Sequence, residues 1–429
     1  MRYLIPMTQI SKSPYKGCRD LFPKLKREQD YLFSKMREVA SLYAYEPYDG
    51  PMLELVDLYM AKSGEELINE QIYSFKDRGD RFVAIRPEMT PTVARMVAQV
   101  HRETPKPIRW YCIPNLMRYE RPQKGRLREH WQFNCDIFGG PEVLSEIEIL
   151  ELIKDLLEHF GATNKHFSIL INDRAIVNEL FSNVLKVDEQ TSYKLYKIID
   201  KSKKLPEQKL EVLMDEILSS EQKANLKKYL SLNSFEEVFS FLDIKSPLRD
   251  LIEKVQETEL LKYLNYDSSI VRGLDYYTGI VFEVFDLHPD NRRAICGGGS
   301  YANLLQIFKE SPLQGVGFGL GDVTLRDFLI THDLMPDFTQ PDDAILVTYQ
   351  ADEFEKRAAQ VSRTFRQAGF GVESNLKPIK TSKAFQLAEK KNYSYLILIE
   401  GPEIVFKDLV NKKEVRSQTI NDEIWEILN

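Results

Sequence analysis

The sequence contains few cysteines and no run of apolar residues long enough to cross a membrane. Its four cysteines, Cys18, Cys112, Cys135 and Cys296, are far apart and form no C-x-x-C pair, so neither a disulfide framework nor a zinc ribbon is indicated. The start of the chain does not resemble a secretory signal, because charged residues follow a very short apolar stretch. We therefore expect a cytoplasmic protein with no membrane partner.

Basic residues are not in excess, since the formal net charge is -7. This balance argues against a protein coated in nucleic acid, although a local basic patch is enough to bind phosphates. The sequence also lacks a G-x-x-x-x-G-K-[ST] phosphate loop, an H-E-x-x-H zinc motif and a dinucleotide-binding G-x-G-x-x-G in a βαβ unit. We accordingly assign no residue to a metal site.

The length of 429 residues predicts two or three domains. Helical and strand patterns alternate over 1–330, but 175–261 is rich in Lys, Glu and Leu and is interpreted as a helical insertion. The segment 331–343 carries two prolines and little apolar pattern, which favours a linker. Buried strands alternate with helices over 344–429, which predicts a separate α/β domain.

Five cations lie between Arg118 and Arg128, in a segment predicted to loop between two strands. Such a charge run is commonly a solvated loop. However, Arg118 ends an apolar strand, where an unpaired charge is costly, and most of the cations are arginines, which suit bidentate contacts with phosphate. The residues alone leave a solvated loop and a phosphate site both open.

A second polar segment runs from Arg272 to Tyr277, within a stretch that is predicted to form strand structure over Ser268–Leu287. Arg272 and Asp275 are able to pair with each other while Tyr276 and Tyr277 join the core. The alternative is a polar pocket for a small ligand with a phosphate nearby.

Glycines at 315, 317, 319 and 321 alternate with apolar residues, so on a strand they leave one face bare. A bare face indicates that a flat ligand ring or another part of the chain packs closely against it. The helix predicted from Asp322 has an N-terminus that would favour an anion. In Arg86-Pro87-Glu88-Met89-Thr90, Thr90 fits a helix N-cap and Glu88 an ordinary surface acid.

Together these segments resemble the class II histidyl-tRNA synthetases from about Gly17 to the end of the chain. The stretches similar to the three class II motifs are Pro47–Glu54, Arg118–Gly139 and Gly315–Leu325. Two further stretches resemble segments peculiar to the histidine enzyme, Arg272–Tyr277 and Cys296–Leu304.

The resemblance implies an α+β catalytic domain over 1–330, with a mostly antiparallel sheet, flanking helices and the helical insertion. It also implies a C-terminal α/β anticodon-binding domain over 344–429 and a homodimer formed through the first motif. The implied substrates are histidine, ATP and tRNA(His), with Mg²⁺ assisting by neutralising charge. Histidine and ATP would give histidyl-adenylate and pyrophosphate, and the histidyl group would move to the 3′ end of the tRNA.

The resemblance carries residue roles as well. Arg118 would hold the α-phosphate, and Arg272 would stabilise the charge that develops there, so both are assigned to catalysis. For ATP, Glu120 would lie near the adenine and Arg126 would reach the outer phosphates. The residues implied for histidine are Glu88, Thr90 and Gln132 at the α-amino end, Asp136 and Tyr277 at the imidazole, and Tyr276 along the pocket wall. Arg121 and Gln123 would contact the acceptor stem of the tRNA.

The sequence departs from the family pattern at two places. Thr324 stands where the third motif has an arginine for the γ-phosphate, and Arg326 would face another way on the helix. Ser300 and Ala302 replace an arginine and an aspartate of the glycine-rich segment. These departures keep two alternatives open, namely an inactive paralogue that serves as histidine sensor or regulatory subunit of histidine biosynthesis, and an RNA-binding module. The adenylate-site arginines favour the active enzyme over both.

Overall fold

The computed structural model describes residues 10–61, 70–203, 205–271, 276–338 and 342–428. Arg272 therefore lies outside the described residues. The chain divides into two compact units, Met1–Pro336 and Asp337–Asn429. The boundary between them falls within the segment interpreted as a linker.

The first unit is built on a large mixed sheet. The strands of this unit are β1 (Glu46–Pro47), β2 (Leu53–Leu55), β3 (Tyr73–Lys76), β4 (Phe82–Ile85), β5 (Ile108–Cys112), β6 (Asn115–Met117), β7 (Glu129–Phe138), β8 (Phe167–Asp173), β9 (Leu264–Tyr266), β10 (Ile280–Asp286), β11 (Ala294–Tyr301) and β12 (Gly315–Gly321), of which β2, β4 and β3 form a small sheet of their own. Within the described residues, the large sheet has the order β1-β5-β7-β12-β11-β10-β8-β9, and β6 pairs with β7. The β1–β5 and β8–β9 pairs are parallel and the other pairs of this sheet are antiparallel, which confirms the predicted mostly antiparallel sheet.

Helices cover this sheet. They are α1 (Pro23–Leu42), α2 (Val56–Met60), α3 (Thr90–Val100), α4 (Leu144–His159), α5 (Arg174–Glu179), α6 (Glu189–Lys201), α7 (Glu207–Asp215), α8 (Ser220–Ser231), α9 (Phe235–Phe241), α10 (Pro247–Val255) and α11 (Asp322–Thr331). Helix α4 shows why these helices pack against the sheet, because its apolar residues Ile149, Ile153 and Leu156 recur at helical spacing and are fully buried. Each such side chain contributes about 1.5–3 kcal/mol through burial.

The segment interpreted as an insertion is helical, from α5 to α10, with a π-helical turn at Leu180–Val184. Its sequence sets the helix starts, as Ser219 and Gln222 form a reciprocal capping box at the start of α8. Leu195, Tyr229 and Leu251 of these helices belong to the same continuous hydrophobic core as the sheet. The insertion therefore packs on the first unit and has no separate core among the described residues.

Two local predictions were wrong. The strand predicted to begin at Ser268 begins at Ile280, because the Asp267 side chain accepts hydrogen bonds from the Ser269 amide (2.9 Å) and hydroxyl (2.6 Å) and turns the chain. Thr90 is not an N-cap but the first residue of α3, and Met89 precedes it.

The second unit contains a mixed sheet of its own. Its elements are β13 (Asp342–Tyr349), α12 (Glu355–Gln367), β14 (Val372–Ser374), α13 (Thr381–Lys390), β15 (Tyr393–Glu400), β16 (Glu403–Asp408), β17 (Lys413–Ser417) and α14 (Asp422–Leu428). The strand order is β14-β13-β15-β16-β17, and β13 is parallel to both of its neighbours. Ile345 and Leu346 lie in hydrophobic clusters on opposite faces, which explains the continuous apolar run of β13. The α/β prediction for this part is confirmed.

None of the helices described in either unit is long and apolar enough to cross a membrane.

Candidate active site

Strand β7 presents polar side chains on one face of the large sheet. Gln132, Asn134 and Asp136 line a cavity, whereas Phe133 and Cys135 between them lie fully buried in the main core. This alternation follows from the two-residue period of a strand. The β7 sequence therefore builds the core with one face and a polar site with the other.

The polar face of β7 belongs to a cavity of about 150 Å³, which we name the inner cavity. Asn134 and Tyr301 also line it, and neither was predicted from the sequence to belong to a site. Its walls bring together every residue predicted to bind histidine, namely Glu88, Thr90, Gln132, Asp136, Tyr276 and Tyr277.

The glycines of β12 make room for these side chains. Gly317 pairs with Asp136 across the sheet, and a Cβ on Gly317 would lie 2.3 Å from the Asp136 Oδ1 atom. A Cβ on Gly319 would lie 2.3 Å from the Gln132 Nε2 atom. Of the two possibilities for the bare face, packing by other parts of the chain is therefore the one observed at these positions.

Asp136 is fully buried beside a tyrosine. The Tyr301 hydroxyl donates a hydrogen bond to Asp136 Oδ1. Burial raises the pKa of Asp136 to about 7, although the hydrogen bond from Tyr301 acts in the opposite direction. Burial also raises the pKa of Tyr301 far above its ordinary value, so its hydroxyl remains a donor. The carboxyl of Asp136 thus changes its charge near neutral pH.

The opposite wall of the inner cavity is held together by Tyr276. Its hydroxyl lies within hydrogen-bond distance of two acceptors, Glu88 Oε2 at 3.3 Å and Thr90 Oγ1 at 3.4 Å. Its ring contacts that of Tyr277, with centroids 4.7 Å apart. Both tyrosines are buried in a hydrophobic cluster and also face the cavity, so each belongs to the core and to the wall of the cavity.

A larger cleft of about 390 Å³, which we name the arginine cleft, adjoins the inner cavity. Arg118 and Gln132 line both spaces. Arg118 is held at this junction by a 2.9 Å hydrogen bond from its Nε atom to the carbonyl oxygen of Pro87. The remaining polar side chains of the arginine cleft are Glu120, Arg126, His130, Glu283, Arg292, Arg293 and Thr324.

The two other residues predicted to bind ATP contact each other. Arg126 forms an ion pair with the buried carboxylate of Glu120. A phosphate bound by Arg126 would therefore compete with Glu120 for the guanidinium. His130 beside them has its pKa lowered to about 3 by burial, with nearby arginines adding to the shift, so it is a neutral wall of the cleft.

Arg121 and Gln123 are exposed in the loop between β6 and β7 and line neither space. Gly125 makes the turn of this loop with a φ of +71°, and Gln123 pairs with Arg126 across it. The Arg128 guanidinium lies 4.0 Å from the centre of the Tyr119 ring and holds the base of the loop. The loop thus presents its tip to solvent.

The positions that depart from the family pattern have local partners. The Thr324 hydroxyl is 3.1 Å from the carbonyl oxygens of Ile295 and Gly321, and Ser300 donates to Glu146 Oε1 at 2.6 Å. Arg326 forms a 2.7 Å ion pair with Glu28, so it does not replace an arginine at 324.

The predicted anion site at the start of α11 is occupied by a side chain of the protein. The buried Asp322 carboxylate accepts a 2.9 Å hydrogen bond from the Trp131 amide and pairs with Arg19 at 2.6 Å. The N-terminus of α11 therefore carries an anion, which the first residue of the helix itself supplies.

An arginine-lined cleft thus joins a polar cavity on one face of a mostly antiparallel sheet. The family model described as "Histidyl-tRNA synthetase" matches residues 17–323. A relative from Leptospira biflexa named "Histidine--tRNA ligase" is 41% identical over 415 residues, which cover 96% of this chain and 94% of the relative. The chain belongs to the histidyl-tRNA synthetase family.

Solved structures support the same fold. The histidyl-tRNA synthetase of Nostoc sp. superposes with a TM-score of 0.76 at 22% identity and covers 98% of this chain and 99% of its own. A Bacillus halodurans protein, titled as an ATP phosphoribosyltransferase regulatory subunit/histidyl-tRNA synthetase, has a TM-score of 0.75 at 21% identity and covers 92% of this chain and 100% of its own.

Proposed function

We propose that the chain activates histidine with ATP and transfers the histidyl group to the 3′ end of tRNA(His). The observation that carries this proposal is the junction at Arg118 and Gln132, where the inner cavity meets the arginine cleft. With histidine in the inner cavity and ATP in the arginine cleft, the carboxylate of histidine would lie near the α-phosphate of ATP. The adenylate reaction requires this arrangement.

The inner cavity has the chemistry to select histidine. Neutral imidazole offers one donor and one acceptor, and a carboxyl group with a phenol satisfies both, which is the role we propose for Asp136 and Tyr277. Glu88, Thr90 and Gln132 bind the α-amino end. An apolar amino acid would leave these buried polar groups unpaired, and such sites reject it by about 10⁴-fold or more.

Activation needs no nucleophile from the protein. An oxygen of the histidine carboxylate attacks the α-phosphorus of ATP, and the bond to the pyrophosphate leaving group breaks. Arg118 holds the α-phosphate and Arg272 stabilises the charge that develops on it, so catalysis is positioning and electrostatic stabilisation. Glu120 lies near the adenine, and Arg126 binds the outer phosphates after it leaves Glu120.

Mg²⁺ fits the arginine cleft as a partner of ATP. In the described part of the chain, no group of three or more His, Cys, Asp or Glu side chains is arranged to hold a metal. Mg²⁺ is commonly bound by one or two carboxylates together with phosphate oxygens, and Glu283 supplies one carboxylate to the cleft. When bound, the ion neutralises phosphate charge.

For the tRNA, we propose that the exposed Arg121 and Gln123 contact the acceptor stem. The α/β domain over 344–429, within the second unit, would read the anticodon, since unstacked loop bases are the part of an RNA that proteins read. The helices over 175–261 would grip the acceptor arm. Because these roles belong to translation, we predict that the protein is located in the cytoplasm.

We also propose a homodimer. The small sheet formed by β2, β4 and β3 exposes apolar side chains on one face, namely Leu53, Leu55 and Phe75, which are 47%, 53% and 46% exposed. Leu55 and Phe75 both pair with Val83 of β4, and Leu53 lies two residues before Leu55, so the three share that face. A clustered apolar surface of this kind favours a protein interface, and two-fold dimers are the commonest oligomers. Leu53 and Leu55 lie in or beside the stretch that resembles the dimer-forming motif.

The test is the attachment of labelled histidine to purified tRNA(His) in the presence of ATP. We expect acylation that depends on histidine, with a tRNA of another specificity and a second amino acid as controls. Histidine binding without acylation of any tRNA would favour the sensor or regulatory paralogue. Binding of tRNA without histidine binding would favour the RNA-binding module.

A further inference from the structure

Arg293 lies in the arginine cleft immediately before β11 and has not been given a role above. A Cβ on Gly125 would lie 3.3 Å from the Arg293 Cδ atom and 3.5 Å from the Thr324 Cγ2 atom. The side chains of Arg293 and Thr324 therefore flank the same glycine at the turn of the β6–β7 loop. Neither residue lines the inner cavity, so they belong to the part of the cleft away from histidine.

The other buried or half-buried arginines around the cleft have protein partners. Arg126 pairs with Glu120, Arg19 pairs with Asp322, and Arg118 donates to the Pro87 carbonyl. Arg293 is half-buried and forms no ion pair with any acid in the described ranges. Burial lowers the pKa of its guanidinium, although an arginine remains charged at neutral pH.

The guanidinium of Arg293 is only partly exposed to water and lines the cleft without an acidic partner there, so an anionic ligand in the cleft can pair with it. The ligand that the cleft is proposed to bind is a triphosphate. Thr324 offers a hydroxyl that donates to backbone carbonyls, so it supplies no positive charge in this region. The planar guanidinium of Arg293 matches two oxygens of a phosphate.

We infer that Arg293 binds the terminal phosphates of ATP, which leave as pyrophosphate, in a region of the cleft where position 324 carries a threonine. This inference rests on the proposed function in one respect, since it takes ATP as the ligand. Arg118, at the junction with the inner cavity, would hold the α-phosphate. Arg293, on the far side of the Gly125 turn, would hold the terminal phosphates of the triphosphate.

The experiment compares ATP and AMP binding by calorimetry for the full-length wild type, Arg293→Ala and Arg293→Gln. Arg37→Ala is the matched control, because it removes an exposed arginine from α1. We expect Arg293→Ala to weaken ATP binding by about 10- to 100-fold, the usual range for a lost charge-assisted hydrogen bond. AMP binding should change by less than about twofold, since AMP lacks the terminal phosphates. Arg293→Gln, which retains most of the side-chain volume, should weaken ATP binding in the same direction and guards against a folding defect in the alanine variant.

An Arg293→Ala protein that binds ATP as the wild type does would overturn the inference, as would an equal loss of ATP and AMP. A wild type that binds no ATP would remove both the inference and the proposed function. A second assay distinguishes failure of the inference from failure of the proposed function. It measures the Michaelis constant for pyrophosphate in histidine-dependent exchange. A wild type that binds ATP through Arg293 yet shows no exchange would remove the enzymatic proposal and leave the phosphate site.

Discussion

The hydroxyl of Tyr301 donates a hydrogen bond to the carboxylate of Asp136 across the bare face of β12. Asp136 lies on β7 and Tyr301 on β11, the two strands that flank β12, and their backbone partners on β12 are Gly317 and Gly315. A side chain at either glycine would occupy the path of this contact. The glycines of β12 are therefore what allows the buried Asp136 of the inner cavity to reach Tyr301.

Gly317→Ala tests this relationship. Its Cβ would lie 2.3 Å from Asp136 Oδ1 and 2.8 Å from the Cys135 carbonyl oxygen, so Asp136 must move. We expect the Michaelis constant for histidine to rise about tenfold or more, while ATP affinity is retained, because a displaced hydrogen bond to a charged group is worth about 1.5–3 kcal/mol. The matched control is Gly371→Ala, where the nearest atom to the added Cβ is 3.5 Å away. An unchanged Michaelis constant in Gly317→Ala would contradict the assignment of Asp136.

Asp136→Asn should stabilise the folded protein while it weakens histidine binding. The folded-state pKa of Asp136 is raised to about 7, above its ordinary value, so this group lowers stability increasingly as pH rises between the two values. The variant should therefore gain stability over the wild type by about 1–3 kcal/mol more at pH 8 than at pH 5. Urea unfolding at the two pH values measures this, and an equal difference at both would show that Asp136 does not titrate in this range.

Arg118→Ala should depress catalysis far more than folding. Arg118 lies at the junction of the two spaces, and the loss of one stabilising group for the developing charge costs about 10²–10³ in rate. Pyrophosphate exchange gives the rate, and thermal unfolding reports the fold. The same loss is expected for Arg272→Ala. A rate within threefold of the wild type in either variant would remove that residue from the catalytic set.

Leu55→Glu should convert the proposed dimer into monomers. Leu55 is 53% exposed on the small apolar sheet, and a buried unpaired carboxylate at an interface is unfavourable. Val410→Glu is the control, since Val410 is 57% exposed in the second unit. Sedimentation measures the mass of each variant. A wild type that is monomeric at micromolar concentration, or a dimer that tolerates Leu55→Glu, would argue against this interface.

The alternation of glycines along β12 was predicted from regular spacing. The residues selected for histidine came from the family resemblance, and the inner cavity brings all of them together. Asn134 was within reach of reasoning from spacing, since it lies between Gln132 and Asp136 on the same face of β7.

The residues that sequence reasoning missed depend on contacts between distant segments. Tyr301 reaches Asp136 over 165 positions of the chain, and Arg293 approaches Gly125 from another strand. Their only sequence signals were the tyrosine after the glycine cluster and the Arg292-Arg293 pair before a strand. The Asp267 turn was missed for a local reason, because its side-chain hydrogen bonds competed with strand pairing.

The measurement that tests the central claim most directly is the exchange of labelled pyrophosphate into ATP without tRNA. We predict exchange that requires histidine and is absent with other amino acids, which would establish adenylate formation in a protein with Thr324 and Ser300 at positions that are arginine in the family. Histidine binding with no exchange would contradict the claim, and the inner cavity would then belong to a sensor or regulatory protein.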